Sequence, residues 1–464
     1  MNNNNVNNGL KREIGFFTAT ILVVANMIGT GIFTTSGFII QELKSPEVML
    51  VCWIVGGIFA LSGALCYGEL GAMFPFAGGD YVYLRESFGK LMAFLSGWIS
   101  LIVGFSAPIA AATIAFATYF FRAFPNILPV EMNAPLVNNA ILIITPVTVL
   151  ASVVIIIFSL IHSHSLWFGS RVQNGLTIFK LVLIVGFVAG GFWFGKGSMP
   201  RLFDTPQTVS VFSGSFAVSL IFISFAYSGW NAAAYLGSEI KNPARNIPFS
   251  LLTGTMVVML LYVLLNLTYL SALTVPEMSG VMEVGAKAAI TLFGEKASYL
   301  VSAAIAIGLL SVISAMILAG PRVYYAMARD GVFIKTLAKL REKHQTPAYA
   351  IVLQGSLAII VAITASFDNL LIYIGFTLSL FAVLTVCGLI ILRRRNHRRH
   401  SAYKTWGYPL TPMVFILGNL WIIYYSIKNK PLTSGFGLGT IALGGLVYSV
   451  ISLLAKFKQR NHDR

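Results

Sequence analysis

Charge is what this sequence lacks most. Only 10% of its 464 residues are Asp, Glu, Lys or Arg, against 57% that are hydrophobic. So few charges cannot cover the surface of a soluble fold, and the chain reads as an all-α integral membrane protein. Acidic residues are the scarcer sign, 16 against 32 Lys and Arg, leaving a net charge of +16. Such an excess can signal nucleic acid. Here the cations lie in short loops between apolar runs, which orients a chain in a bilayer and needs no polyanionic partner. Cysteine is nearly absent. Cys52, Cys66 and Cys387 fall in apolar segments, with no CxxC or Cys/His cluster, and read as small hydrophobes in helices. His162 and His164 ("HSHS") form a short polar turn that lacks the third and fourth ligands of a metal site. No nucleophile–base pair and no Gly-rich phosphate loop occurs, so neither an enzyme nor a cofactor is expected.

What the chain has is long apolar runs. A bilayer core about 30 Å thick needs about 20 such residues per helix. On that ruler twelve transmembrane helices are expected, near 14–40, 47–73, 91–121, 137–160, 172–194, 212–236, 248–273, 297–320, 348–366, 369–392, 408–427 and 435–456. Residues 276–295 read as an external loop helix. The N-terminal segment 1–11, opening "MNNNNVNN", reads as a disordered tail, and no cleavable signal peptide is evident. With both termini cytoplasmic, 23 Lys and Arg fall in inner segments and eight in outer ones, which fits the positive-inside bias. "RRRNHRRH" (393–400) reads as a topology anchor, with anionic lipid as its alternative partner.

Two spans are interrupted. The first carries "IGTGIF" (28–33) and the sixth "FAYSGWN" (225–231). They open two five-span halves, 12–194 and 212–392, followed by a last pair of spans at 405–456 and a tail at 457–464. Five is odd, so the halves must be inserted upside down relative to each other. Broken helices at matching places in inverted halves point to the central site of a transporter. Irregular backbone within a membrane is tolerated only inside protein or along a wet cavity. At a break, one half-helix offers free N–H groups and the other free C=O groups, which suit an anion and a cation respectively. A zwitterion would place its carboxylate on the N–H groups after Gly29–Thr30–Gly31 and its ammonium on the carbonyls just before. A lone GxG could instead be a packing notch.

These two segments resemble the amino acid–polyamine–organocation superfamily. So do "ALCYGELGAMFPFAGGDYVYLRESFG" (64–89), "SEIKNPARNIP" (238–248) and "GPRVYYAMARDGVF" (320–333). The resemblance runs from about residue 12 to 455 and is nearest the bacterial permeases of the L-amino acid transporter branch. It implies a five-plus-five inverted repeat with discontinuous helices 1 and 6, and alternating access. It also implies a substrate site lined by Ile28, Gly29, Thr30, Gly31, Phe225, Ala226 and Ser228, with Phe225 as an aromatic lid. Phe76 departs from the polar or basic residue usual in relatives. Animal relatives pair with a glycoprotein through a disulfide. No Cys lies in an external loop here, so no disulfide-linked partner subunit is expected.

Lys180 lies within the fifth span, and an ionisable residue at that depth is a functional candidate by default. An amine taken out of water can shed its proton, so Lys180 is a candidate coupling residue, with the Ser311 and Ser314 hydroxyls as partners. The resemblance supports an ammonium standing where other relatives hold sodium, which implies sodium-independent transport. Glu69, Asp80, Arg85, Glu86, Glu239, Lys241, Arg329 and Asp330 gather at cytoplasmic span ends, either as an inner gate or as solvated loop charges. No Asp or Glu falls mid-span in spans 1, 3, 6, 8 or 10, so a neutral L-amino acid is the expected substrate, with Phe225 and Trp230 as apolar walls. A cationic amino acid or polyamine transporter of the same fold is the alternative, and a channel-type pore the rival from another class. The expected location is the cell membrane.

Overall fold

In a computed structural model the apolar runs become helices. It describes residues 12–127, 132, 134–138, 142–164, 166–195, 210–211, 213–341, 346–395 and 402–460, with the backbone alone for 166–174 and 454–460. The N-terminal tail up to residue 11, residues 461–464 of the 457–464 tail and the end of "RRRNHRRH" lie outside the described residues.

The first run is broken into α1 (Phe16–Met27), α2 (Thr30–Thr34) and α3 (Ser36–Leu43). α4 (Pro46–Met73) opens on a Ser45 side chain capping the Val48 N–H, with Pro46 in the first turn. α5 (Asp80–Phe88) is short and leads into α6 (Lys90–Ile99). A π-helical stretch, Ser100–Ser106, joins α6 to α7 (Ala107–Ala123). α8 (Pro146–His164) and α9 (Leu166–Trp193) follow. The sixth run gives α10 (Gly214–Ala226) and α11 (Ala232–Tyr235). Then come α12 (Pro243–Ala272), α13 (Val275–Met278), α14 (Val284–Phe293), α15 (Glu295–Arg329), α16 (Ala348–Thr364), α17 (Phe367–Arg395), α18 (Leu410–Asn429) and α19 (Pro431–Arg460).

Among the described residues ten helices are long and apolar enough to cross a membrane, and α10, α14 and α16 are shorter apolar helices. The expected span at 212–236 is therefore cut at Ala226, where residues 227–231 leave the helix. The expected span at 137–160 starts late. Val137–Asn138 pairs with Ile143–Ile144 as a two-stranded hairpin, and the helix begins at Pro146. Thr145 and Thr148 fix that start by exchanging backbone N–H to Oγ1 hydrogen bonds of 2.8 and 3.2 Å. Residues 162–164 of "HSHS" end a helix instead of forming a turn: His162 is buried in α8 and shares a 2.9 Å hydrogen bond with Ser314.

Small residues bring the helices close, as packing without a hydrophobic drive requires. Gly68 and Gly71 of α4 lie against Pro248 and Ile247 of α12, and Gly254 of α12 lies against Val23 of α1. Residues preceding α1 are tied down as well. Ile14 N–H donates to Glu239 O at 3.0 Å, and Lys241 N–H donates to Ile14 O at 2.8 Å. The breaks in α1–α2 and α10–α11 are thereby held side by side.

Candidate functional site

The two breaks touch. A Cβ on Gly31 would sit 2.3 Å from Ala226 Cα, and one on Gly229 would sit 2.8 Å from the Asn26 carbonyl carbon and oxygen. Only glycine permits either approach, because backbone cannot yield to a side chain. Tyr262, from α12, spans the junction. Its Oη lies 2.6 Å from Met27 O and 3.0 Å from Ala226 O, so one hydroxyl hydrogen serves the carbonyls at both breaks. Trp53 and Tyr227 pack around that ring, with centroids 5.5 and 5.1 Å away.

Lys180 reaches the same place from α9. It is fully buried; its Nζ donates to Ala25 O at 2.9 Å and to Ile28 O. Its stem rests against Gly308 of α15. The hydroxyls expected as its partners are engaged elsewhere: Ser311 donates to Gly308 O at 2.8 Å, and Ser314 pairs with His162. Three carbonyls before Gly29, those of Ala25, Met27 and Ile28, thus have donors from Lys180 and Tyr262 in place. Sequence alone assigned them to a substrate ammonium, since nothing in the spacing shows α9 and α12 converging there.

A cavity of about 350 Å³ opens beside the junction. Its wall includes Asn26, Phe225, Ser228, Gly229, Trp230 and Asn231 at the breaks. Phe225 is 5% exposed and Trp230 9%, so each offers the cavity only a small part of its surface. Trp230 is held by Tyr67, edge to face at 4.7 Å, and by Phe415 at 6.0 Å. Ile28, Gly29, Thr30, Gly31 and Ala226 are buried behind this wall and do not line it. The π-helical stretch contributes Ser100, Gly104 and Phe105 to the far side.

The charges expected at an inner gate fall into separate groups. Arg85 pairs with Asp330 at 3.0 Å and with Glu86 at 3.3 Å, and Tyr81 donates to the same Asp330 oxygen at 2.6 Å. Glu239 pairs with Arg322 at 3.5 Å, and both line the cavity. Sequence reasoning placed Arg322 in a loop, whereas α15 runs on past it to Arg329. Arg329 itself lies with its guanidinium 5.8 Å from the Tyr325 ring. Glu69 is buried away from the cavity and holds Arg393 and Thr405, the latter through N–H and Oγ1 at 2.7 Å each. Asp80 lines the cavity, and its neighbours are neutral: Tyr235 Oη donates at 2.7 Å, Thr385 Oγ1 at 3.3 Å and Asn231 Nδ2 at 3.4 Å. Burial pushes the Asp80 carboxyl above the usual carboxylate range, while the hydroxyls of Tyr67, Tyr235 and Thr385 oppose that rise.

Asn26, Tyr262, Tyr235 and Arg322 went unassigned from sequence. Asn26 stands beside the first break in the chain. Tyr262 lies in an unbroken apolar run and carries no sequence signal at all. No group of three or more His, Cys, Asp or Glu side chains placed to hold a metal occurs among the described residues.

Known proteins are similar to this sequence along nearly its whole length. The model of the amino acid permease family matches residues 14–447. The b(0,+)-type amino acid transporter 1 of Mus musculus is 29% identical over 456 residues, covering 97% of this chain and 89% of the relative. Large neutral amino acids transporter small subunit 2 of Homo sapiens is 28% identical over 453 residues, 95% of this chain and 80% of its own. The serine/threonine exchanger SteT of Bacillus subtilis (strain 168) is 29% identical over 442 residues, 95% of this chain and 96% of its own.

Proposed function

The chain belongs to the amino acid permease family, and on that premise we propose that it carries a neutral L-amino acid across the cell membrane by alternating access, without sodium, as an exchanger or with protons. One observation carries the reading: two helix breaks, one in each half of the chain, meet at the head of a cavity large enough for a small ligand. Helices α10 with α11 and α16 complete the ten long helices to twelve spans. The first ten spans form the inverted five-plus-five repeat, and both termini are cytoplasmic.

In this reading the substrate carboxylate binds the free N–H groups at the start of α2, which continues through Thr35 into α3. Phe225 and Ser228 face the substrate from the second break, with Trp230 as an apolar wall. Access requires Gly31 to part from Ala226, so the site forms and closes with the relative motion of the two breaks. Lys180 fills the carbonyl end of α1, and while it is protonated its ammonium repels a second cation there. That supports sodium independence, with Lys180 as the group that gains and loses a proton. Glu239–Arg322 and Arg85–Asp330 act as inner gate contacts. Cys52, Cys66 and Cys387 lie within α4 and α17, away from any loop that a disulfide-linked partner could reach.

The relatives are named for amino acid transport or exchange, one of them for large neutral amino acids and one for serine and threonine. The test is uptake into proteoliposomes, with a competition panel of proteinogenic amino acids at two pH values, with and without Na⁺. Saturable uptake with trans-stimulation by neutral amino acids is expected. Strict Na⁺ dependence, or single-channel current without saturation, would sink the reading. Arginine, lysine and a polyamine belong in the panel, because Asp80 puts a carboxylate on the cavity wall that a cationic side chain would fit.

A further inference from the structure

A carboxylate on a cavity wall needs a partner, and Asp80 has only neutral ones. Its placement is built in. The loop between α4 and α5 is stitched to the end of α11 and the segment after it: Gly78 N–H donates to Tyr235 O at 3.2 Å and Ala77 N–H to Ser238 Oγ at 2.9 Å. Gly79 takes a positive φ of 51°, and a Cβ there would sit 2.7 Å from the Tyr235 ring. Only glycine allows that turn and that contact together. The turn delivers Asp80 to the Tyr235 hydroxyl. The other ionic groups near the cavity are spoken for, with Arg322 on Glu239 and Arg85 on Asp330. None of the ion pairs among the described residues includes Asp80.

The surroundings match an ammonium. Tyr67, Phe105, Trp230 and Tyr235 line the same cavity as Asp80, and the Phe105 and Tyr235 rings meet edge to face at 6.1 Å. Aromatic faces attract a cation, and a carboxylate beside them completes the recognition. At the α1 break, in contrast, Lys180 and Tyr262 already donate to the carbonyls that would receive such a group.

We propose that Asp80 is an ammonium-binding station on the cavity wall, taking the α-ammonium of an amino acid on its way to or from the helix breaks. The proposal rests on the transporter reading of the cavity. Tyr235, Thr385 and Asn231 hold the carboxylate in place, and the aromatic rings give the substrate's carbon chain an apolar bed.

The test is a binding measurement that needs no transport. Calorimetric titration of the detergent-solubilised protein with n-pentylammonium chloride should give saturable binding, while sodium hexanoate, of similar chain length, gives none at the same concentrations. Asp80→Asn should weaken n-pentylammonium about tenfold or more, since it removes the charge and keeps the shape, and Asp80→Glu should restore most of it. Asn231→Lys, which sets an amine within reach of the carboxylate, should also weaken binding. That variant keeps the proposal open to refutation if Asp80→Asn proves unstable. Absence of saturable binding to the wild type would overturn the proposal, as would equal binding to the Asp80→Asn or Asn231→Lys protein. A protein that binds n-pentylammonium through Asp80 yet moves no amino acid in proteoliposomes would instead count against the transporter reading.

Discussion

Replacing Gly31 by alanine adds one methyl group, and the structure says where it must go. The new Cβ would lie 2.3 Å from Ala226 Cα and 2.6 Å from Ala226 Cβ, where ordinary contact begins at 3.4 Å. Its obstacle is backbone on the facing half-helix, so no rotamer relieves the clash. The two breaks must part by about 1 Å, and a shift of that size at a binding site costs on the order of a hundredfold in rate. Overpacking adds about 1–3 kcal/mol of lost stability. Gly29→Ala is the internal control. Two residues away, its Cβ would make only ordinary contacts, with the Val312 methyls at 3.4 and 3.6 Å and with Met27 O at 3.8 Å. The assay is initial-rate amino acid exchange in proteoliposomes, with thermal unfolding of each purified variant. Gly31→Ala should lose about two orders of magnitude in exchange and remain insertable, while Gly29→Ala stays within about threefold of the wild type. Wild-type exchange by Gly31→Ala, or equal loss by both variants, would refute the claim that contact between the breaks sets the site.

Lys180→Met keeps the stem against Gly308 and removes the ammonium from Ala25 O and Ile28 O; uptake should fall sharply with the protein still monodisperse on size exclusion, and unchanged uptake would end its coupling role. Tyr262→Phe strips the one hydroxyl shared by Met27 O and Ala226 O; it should cost about 1 kcal/mol in unfolding free energy and slow exchange more than it raises KM. Charge reversal tests the gate: Glu239→Arg alone should impair exchange, and adding Arg322→Glu should recover part of it if the pair at 3.5 Å closes the path.

Much of this molecule is written in its periodic and exceptional residues. Apolar run length gave most of the helices, because the bilayer imposes one length on every span. The glycines of "IGTGIF" and "FAYSGWN" marked both breaks, because broken helix at membrane depth must be bought by function or by packing. Lys180 announced itself as the charge within a span. The start of α8 was misjudged, since a hairpin of apolar residues has the same composition as a helix, and Thr145–Thr148 capping is a matter of geometry.

What the chain alone determined is therefore a many-spanned membrane protein, its family through long ordered motifs, and the two places where helix gives way. These are local properties, fixed by solvent and backbone chemistry. Tertiary structure decided which groups meet. It brought Gly31 onto Ala226, Lys180 and Tyr262 onto the carbonyls before Gly29, and Asp80 onto the wall of the cavity. Lys180 and Ile28 stand 152 residues apart in the chain, and Asp80 and Tyr235 stand 155 apart. No spacing encodes such pairs, because they depend on how helices cross and on which small residues let them approach.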